Sequence, residues 1–298
     1  MSKLLHPLYF GFTLLLISYV GLINSASAQS DAQPLVLTSV GPVHSLTSAL
    51  LDGTPIEVMS VTAEAPTVNY ENAGTVVSMH SISPDSSLYE TAKAANDSIA
   101  HIDASSAFSS INSDVPPYFW VSPSMVVESI NATATELASV YPNDSEAIQA
   151  NASELTSKIH AARADFENAI SEQDLKFYGL TNEFFYLTND IEIPVVGYVI
   201  KPEEEWMIDD FGEMIKNLYD LGQPMVIASK EPIRDIGQSA RTAGARLVVL
   251  DTYAASTEDI VTIATGNMEK IVTSLAGPAR PGGGGMGGGG MGGGGMGG

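Results

Sequence analysis

The sequence predicts an α/β fold: two lobes of parallel-sheet βα units joined by one long linking helix. Three observations lead there. Short apolar runs alternate with helical periodicity in both halves of the chain, as in "QPLVLTSVGPVHSLTSALL" and "PMVIASKEPIRDIGQSARTAGARLVVLD". Between the two sets, Glu146 to Ile170 contains neither Gly nor Pro. Within that stretch Ile148, Leu155, Ile159, Ala162, Phe166 and Ile170 recur at helical spacings, which marks a long amphipathic helix.

In chain order, Leu35-Val36-Leu37 reads as a buried strand, and the Gly41-Pro42 break opens an apolar-periodic helix. "PIEVMSVTA" (55–63) alternates like a second strand, while the surroundings of "ASSAFSSI" have no clear period. Tyr118-Phe119-Trp120, bracketed by prolines, reads as a buried strand end in which Phe119 and Trp120 pack. After Pro123 the residues Met125, Ile130, Ala134, Leu137 and Val140 fall on one side of a helix that stops at "YPND". Asn143, Asp144 or Ser145 can cap the linking helix. "KFYGLT" and "IPVVGYVI" read as strands, and "MIDDFGEMIKNLYDLG" as a helix ended by Gly222. A further strand, a helix ended by Gly244, and the strand "ARLVVLD" complete the pattern. "PEEEW" (202–206) is expected to cap the helix after it, because carboxylates suit the positive N-terminal dipole.

The ends are of other kinds. Residues 1–28 have a lysine start, the apolar run Leu8–Ile23 and Ala26-x-Ala28, the makeup of a secretory signal peptide; a retained anchor is the second reading. Residues 277–298 form a Gly/Met-rich tail, expected to be a disordered tether, with Met286, Met291 and Met296 as soft thioethers that could capture Cu(I). The predicted organisation is therefore signal peptide 1–28, N-terminal lobe 29–142, linking helix 143–172, C-terminal lobe 173–276 and tail 277–298. The chain is expected to be exported, to the periplasm or cell surface.

With 35 acidic against 13 basic residues, the surface is too negative for nucleic acid or an anionic membrane. No cysteine is present, so no disulfide framework can form and no lipid can be attached through a cysteine near the cleavage site. Among enzyme signatures, Gly-x-Ser-x-Gly, phosphate-cradling glycine loops within the fold and His-Glu-x-x-His are missing, which argues against catalysis. Four Asn-x-Ser/Thr sites (Asn96, Asn131, Asn143, Asn151) suit an exported surface.

The order and spacing of "PYFWVSP", "NDSEAIQANASELTSKI", "PEEEWMIDDFGEMIKNLYDLGQPMVIASKEP" and "SARTAGARLVVLD" resemble the zinc/manganese solute-binding proteins of ABC importers. The likeness covers about Leu35 to Leu275. It implies a long rigid helix between two α/β lobes, a metal ion in the cleft, a permease partner and a monomer.

That family draws its ligands from four segments, and here two of the histidines are replaced. In "PTVNYEN", Tyr70 and Glu71 match the family loop, but Val68 stands at the histidine place and only the neighbouring Asn69 offers an oxygen. In "YFWVSP", Tyr118 stands where a histidine belongs. "TNEFFY" offers Glu183 if the loop is two residues shorter, and "VVLD" supplies Asp251. His80 could be a displaced ligand or an ordinary surface histidine. Tyr70, Glu71 and Glu231 are expected to support the ligands from behind.

The resulting ligand set is Tyr118, Glu183 and Asp251, with Asn69, His80 or water. Carboxylates and a phenol favour hard ions over zinc, which prefers imidazole and thiolate. The implied cofactor is a metal cation of undetermined identity, among Mn, Zn, Fe and Cu. The alternative is a non-transporting relative that has lost the site and serves as a surface scaffold.

Overall fold

The computed structural model describes residues 34–39, 41–61, 68, 70–79, 86–108, 116, 118–252 and 259–276. The signal-peptide and tail predictions, and the ligand candidates Asn69 and His80, lie outside the described residues. Among those described, no helix is long and apolar enough to cross a membrane.

Each half of the chain builds one parallel four-stranded sheet. The first comprises β1 (Leu35–Thr38), β2 (Glu57–Ser60), β3 (Ala73–Ser78) and β4 (Ala100–Asp103), in the order β2-β1-β3-β4. The second comprises β5 (Phe177–Gly179), β6 (Val195–Tyr198), β7 (Met225–Ala228) and β8 (Leu247–Val249), in the order β6-β5-β7-β8. All pairings are parallel. The central strands β1, β5 and β7 are buried throughout, whereas the edges β2 and β6 are not. Continuous apolar sequence such as "LVLT" and "MVIA" is what a strand covered on both faces requires.

Eight α-helices complete the described fold: α1 (Gly41–Leu50), α2 (Ser86–Ala95), α3 (Pro123–Val140), α4 (Ser145–Ile170), α5 (Phe185–Asp190), α6 (Ile208–Asp220), α7 (Arg234–Thr242) and α8 (Ile260–Ala276). The predicted linking helix is α4, whose 26 residues span about 39 Å at the usual rise. It buries Ile148, Ala152, Ile159 and Phe166, a single stripe. Asp144 stands at its N-cap, but its side chain makes no capping bond.

The last helix is a second spine. Its first N–H, at Ile260, donates to Ser45 Oγ on α1 at 2.8 Å. Farther along, Ser274 meets Met225 of β7, and the helix packs against α3 and α4 on the way. One apolar cluster consequently runs from Val36 and Leu46 through Ile130, Ile159 and Ile271 to Phe177 and Ile227, joining both sheets.

Two local expectations are corrected. Phe119 and Trp120 are buried as expected, but in a 3-10 turn, Phe119–Val121, and not at a strand end. Pro123 opens α3, and Ser122 caps it by accepting the Met125 N–H, so the chain turns there instead of extending. The acidic triplet Glu203–Glu205 forms its own 3-10 turn and does not cap α6. Asp210 does that work from inside α6, accepting the Met207 N–H and pairing with Lys201.

The β5–β6 pair is locked by an exchange of rings and glycines. Tyr178 faces Gly197 and Gly179 faces Tyr198 in register. A Cβ at Gly197 would lie 2.8 Å from the Tyr178 ring, itself only 2% exposed. Gly197→Ala is therefore expected to destabilise the protein by about 1–3 kcal/mol through overpacking, read from the urea midpoint.

Candidate metal centre

In an open parallel sheet, ligands gather at the carboxyl ends of the strands, where the strand order reverses. Both sheets have that reversal, between β1 and β3 and between β5 and β7. Glu183 follows β5, Glu231 follows β7 and Asp251 follows β8, so all three project from the carboxyl edge of the second sheet. Tyr118 belongs to the first half and arrives ahead of the Phe119–Val121 turn, which packs against both α5 and α8.

The structure brings Tyr118 and Glu183 together. Burial pushes the Tyr118 phenol above its ordinary value of 10.0, and the Glu183 charge pushes it further the same way. The phenol therefore stays protonated at neutral pH and reaches an ion as a neutral oxygen unless the ion itself removes the proton. Glu183 is held by its own loop: Thr181 Oγ1 donates to Oε2 at 2.9 Å, and the Glu183 N–H donates back to Thr181 Oγ1 at 3.2 Å. Beside Tyr118, the Trp120 ring lies 5.1 Å away, and its indole N–H donates to the carbonyl of Thr252, next to Asp251.

Asp251 is placed differently. Its carboxylate Oδ2 accepts from Lys270 Nζ at 2.6 Å. Its backbone is clamped by Asn267, which accepts the Asp251 N–H at 2.7 Å and donates to its carbonyl at 2.8 Å. The residue thus stands at the carboxyl edge of the second sheet while its charge is already paired to α8. Lys270 and Asn267 escaped the sequence reading because they belong to no motif. Their signal was the i, i+3 spacing on the helix that carries Ile260, Ile263, Ala264, Met268 and Ile271.

The supporting candidates divide. Tyr70 begins a 3-10 turn, Tyr70–Asn72, ahead of β3 and is half-buried; Glu71 in that turn and Glu231 are exposed. Glu231 lines a groove of about 730 Å³ beside β8, together with Arg246 and Lys270. Among the other histidines, His160 is exposed on α4, His44 meets Thr38 Oγ1 at 3.1 Å, and His101 stacks on Tyr89. Among the described residues, no three His, Cys, Asp or Glu side chains are grouped to hold a metal. The donor set that does converge, a phenol and a carboxylate, fits a hard cation and does not fit a nitrogen-rich zinc site. Of the four Asn-x-Ser/Thr asparagines, Asn96 and Asn151 already donate their amides to backbone carbonyls, which ties them to the fold.

A buried network fixes how the two halves meet at this site. Asp190, ending α5, accepts from Ser122 Oγ at 2.8 Å, from the Ser124 N–H at 2.7 Å and hydroxyl at 2.6 Å, and from Arg163 Nη1 at 2.6 Å. Arg163, on α4, also donates to the Asp190 carbonyl at 2.9 Å and to Glu167. The Asp190 side chain is 8% exposed and that of Arg163 27%. Burial raises the Asp190 carboxyl, but the bonds from Ser124, Ser122 and Arg163 outweigh it, and the net pKa falls below 3.8.

Two outcomes are expected. Asp190→Asn leaves Arg163 with only the exposed Glu167 as a charged partner and should cost about 3 kcal/mol in urea unfolding. Because the folded carboxyl holds its proton less tightly than the unfolded one, its stabilisation is complete above pH 3.8. It is lost as pH falls through the lower folded value, so the variant should show a shallower acid limb below about pH 4. At the site, Glu183→Gln should lower the Tyr118 pKa while leaving the part due to burial, as read by NMR of ring-labelled tyrosine.

Relatives share this architecture. None of the curated proteins matches the chain. The Ni2+ complex of the solute-binding protein FpvC from Pseudomonas aeruginosa is 18% identical, with a TM-score of 0.62 over 82% of this chain and 97% of its own. The Zn(II)-bound ZnuA-like domain of Streptococcus pneumoniae AdcA is 14% identical, with a TM-score of 0.64 over 81% and 98%. The metal-dependent lipoprotein YcdH of Bacillus subtilis is 14% identical, with a TM-score of 0.67 over 81% and 98%. At these identities the likeness establishes the α/β fold of two parallel sheets. The model of the family ZnuA, zinc-uptake complex component A, periplasmic, matches residues 49–275. The chain therefore belongs to this family of metal-ion solute-binding proteins of ABC importers, which bind their cargo and catalyse no reaction.

Proposed function

We propose that the protein is the extracytoplasmic binding component of a metal-ion ABC importer and captures a hard cation in the cleft between its two sheets. The observation that carries this reading is the approach of Tyr118 to Glu183 at the carboxyl edge of the second sheet, within a chain of this family. Tyr118, Glu183 and Asp251 are the protein ligands, with Asn69, His80 or water completing the shell. Oxygen donors of this kind favour Mn2+ or Fe3+ over Zn2+ or Cu+. Export to the periplasm or cell surface and delivery to a membrane permease as a monomer follow from the same reading.

A second reading has its own observation. The Asp251 carboxylate is paired with Lys270, and the described residues contain no three-membered ligand group. A relative that has given up its ion and kept the two lobes as a surface scaffold would look the same.

Metal analysis of the full chain, isolated without chelators, separates the two. Capture predicts a stoichiometric transition metal and at least a tenfold weaker Kd in Glu183→Ala, about 1.4 kcal/mol. A scaffold predicts neither bound metal nor a thermal shift with Mn2+, Zn2+, Cu+ or Fe3+, and unchanged behaviour when Tyr118, Glu183 and Asp251 are all replaced by alanine.

A further inference from the structure

Lys270 stands where neither the fold nor the helix requires a cation. It sits within α8 (Ile260–Ala276), a turn and a half short of the end, so its ammonium does not complement the last-turn carbonyls. Nor is it needed to place Asp251. Asn267, fully buried one turn earlier, already holds the Asp251 backbone from both sides, at 2.7 and 2.8 Å. What Lys270 adds, 2.6 Å from Oδ2, is positive charge on a carboxylate at the carboxyl edge of the second sheet.

The pair is also reversible in kind. The two side chains are 40% and 42% exposed, so water can take over the ammonium when it leaves. A lysine head on a flexible stem releases a carboxylate more easily than the forked, two-pronged grip of an arginine. The second Asp251 oxygen makes no bond to any other described residue.

We propose that Lys270 is the resident counter-ion of Asp251, a built-in competitor that an incoming divalent ion must displace before the carboxylate can complete its shell. This rests on the capture reading above. An ion binding Asp251 either expels the ammonium or shares the carboxylate with it against like-charge repulsion. Both raise the concentration at which the site fills. The ammonium carries one charge, so the exchange favours doubly charged cargo over Na+ or K+. Capture thereby frees a lysine on the helix that touches both halves of the molecule.

The test is calorimetric titration of MnCl2 into the chelator-stripped full chain and its Lys270→Gln and Lys270→Arg variants. The expected result is a Kd at least tenfold tighter in Lys270→Gln and the same as the parent's or weaker in Lys270→Arg. Binding by Lys270→Gln alone also supports the exchange and shows the parent site to be held shut. An unchanged Kd in Lys270→Gln, with the parent binding, overturns the proposal and leaves the capture reading intact. A weaker Kd overturns it too and makes Lys270 a residue that positions Asp251. No binding by any of the three overturns both. Should Lys270→Gln fail to fold, the parent with 13C-methylated lysines decides: MgCl2, a diamagnetic hard dication, at a concentration that displaces bound Mn2+, must move the Lys270 methyl signal, identified by its absence in Lys270→Arg, and an unmoved signal overturns the exchange.

Discussion

The buried carboxylate of Asp190 sets the geometry on which the site depends. Its partners come from two places, the start of α3, a short step after Tyr118, and the linking helix, through Arg163; Asp190 itself ends α5, which follows directly from the Glu183 loop. Both candidate ligands are therefore attached within a few residues of one charged knot. A carboxylate this buried must be fully hydrogen-bonded to remain charged, and the cost of leaving it unpaired makes the arrangement all-or-none.

Around it the apolar core is continuous. Hinged lobes ordinarily meet through modest, polar interfaces that let them move as bodies. Here α4 and α8 both run from one sheet to the other, and their buried faces belong to a single cluster with Leu46, Ile130, Phe177 and Ile227. Large opening would expose part of that cluster, so the apolar contact favours small adjustments of loops and side chains at the cleft. A charge exchange at Asp251 is an adjustment of that size.

Much of the architecture was legible in residue order. Short apolar or alternating runs marked β1, β2, β5, β6, β7 and β8, and the lack of Gly and Pro marked α4, because these signals are local. What escaped depended on tertiary partners. β3 (Ala73–Ser78) and β4 (Ala100–Asp103) carry Gly, Ser, His and Asp, which read as loop until the sheet pairs their backbones. The Tyr-Phe-Trp run looked extended by composition, yet the capping of α3 by Ser122 bends it. At the site, Glu183, Asp251 and Tyr118 became candidates only through the resemblance, by matching "TNEFFY", "VVLD" and "YFWVSP" to the family's ligand segments. Lys270, Asn267 and Asp190 did not, since each acts through a partner at least sixteen residues away in sequence, and no spacing rule reaches that far.

The chain contains two tryptophans, and the fold gives them separate duties. Trp206 is packed within the second half, against Phe211, with its N–H on the Lys201 carbonyl. Trp120 comes from the first half and donates to Thr252 in the second. Their fluorescence is thereby divided between an internal reference and an indole whose hydrogen bond joins the two halves, so the molecule carries its own optical gauge of that junction.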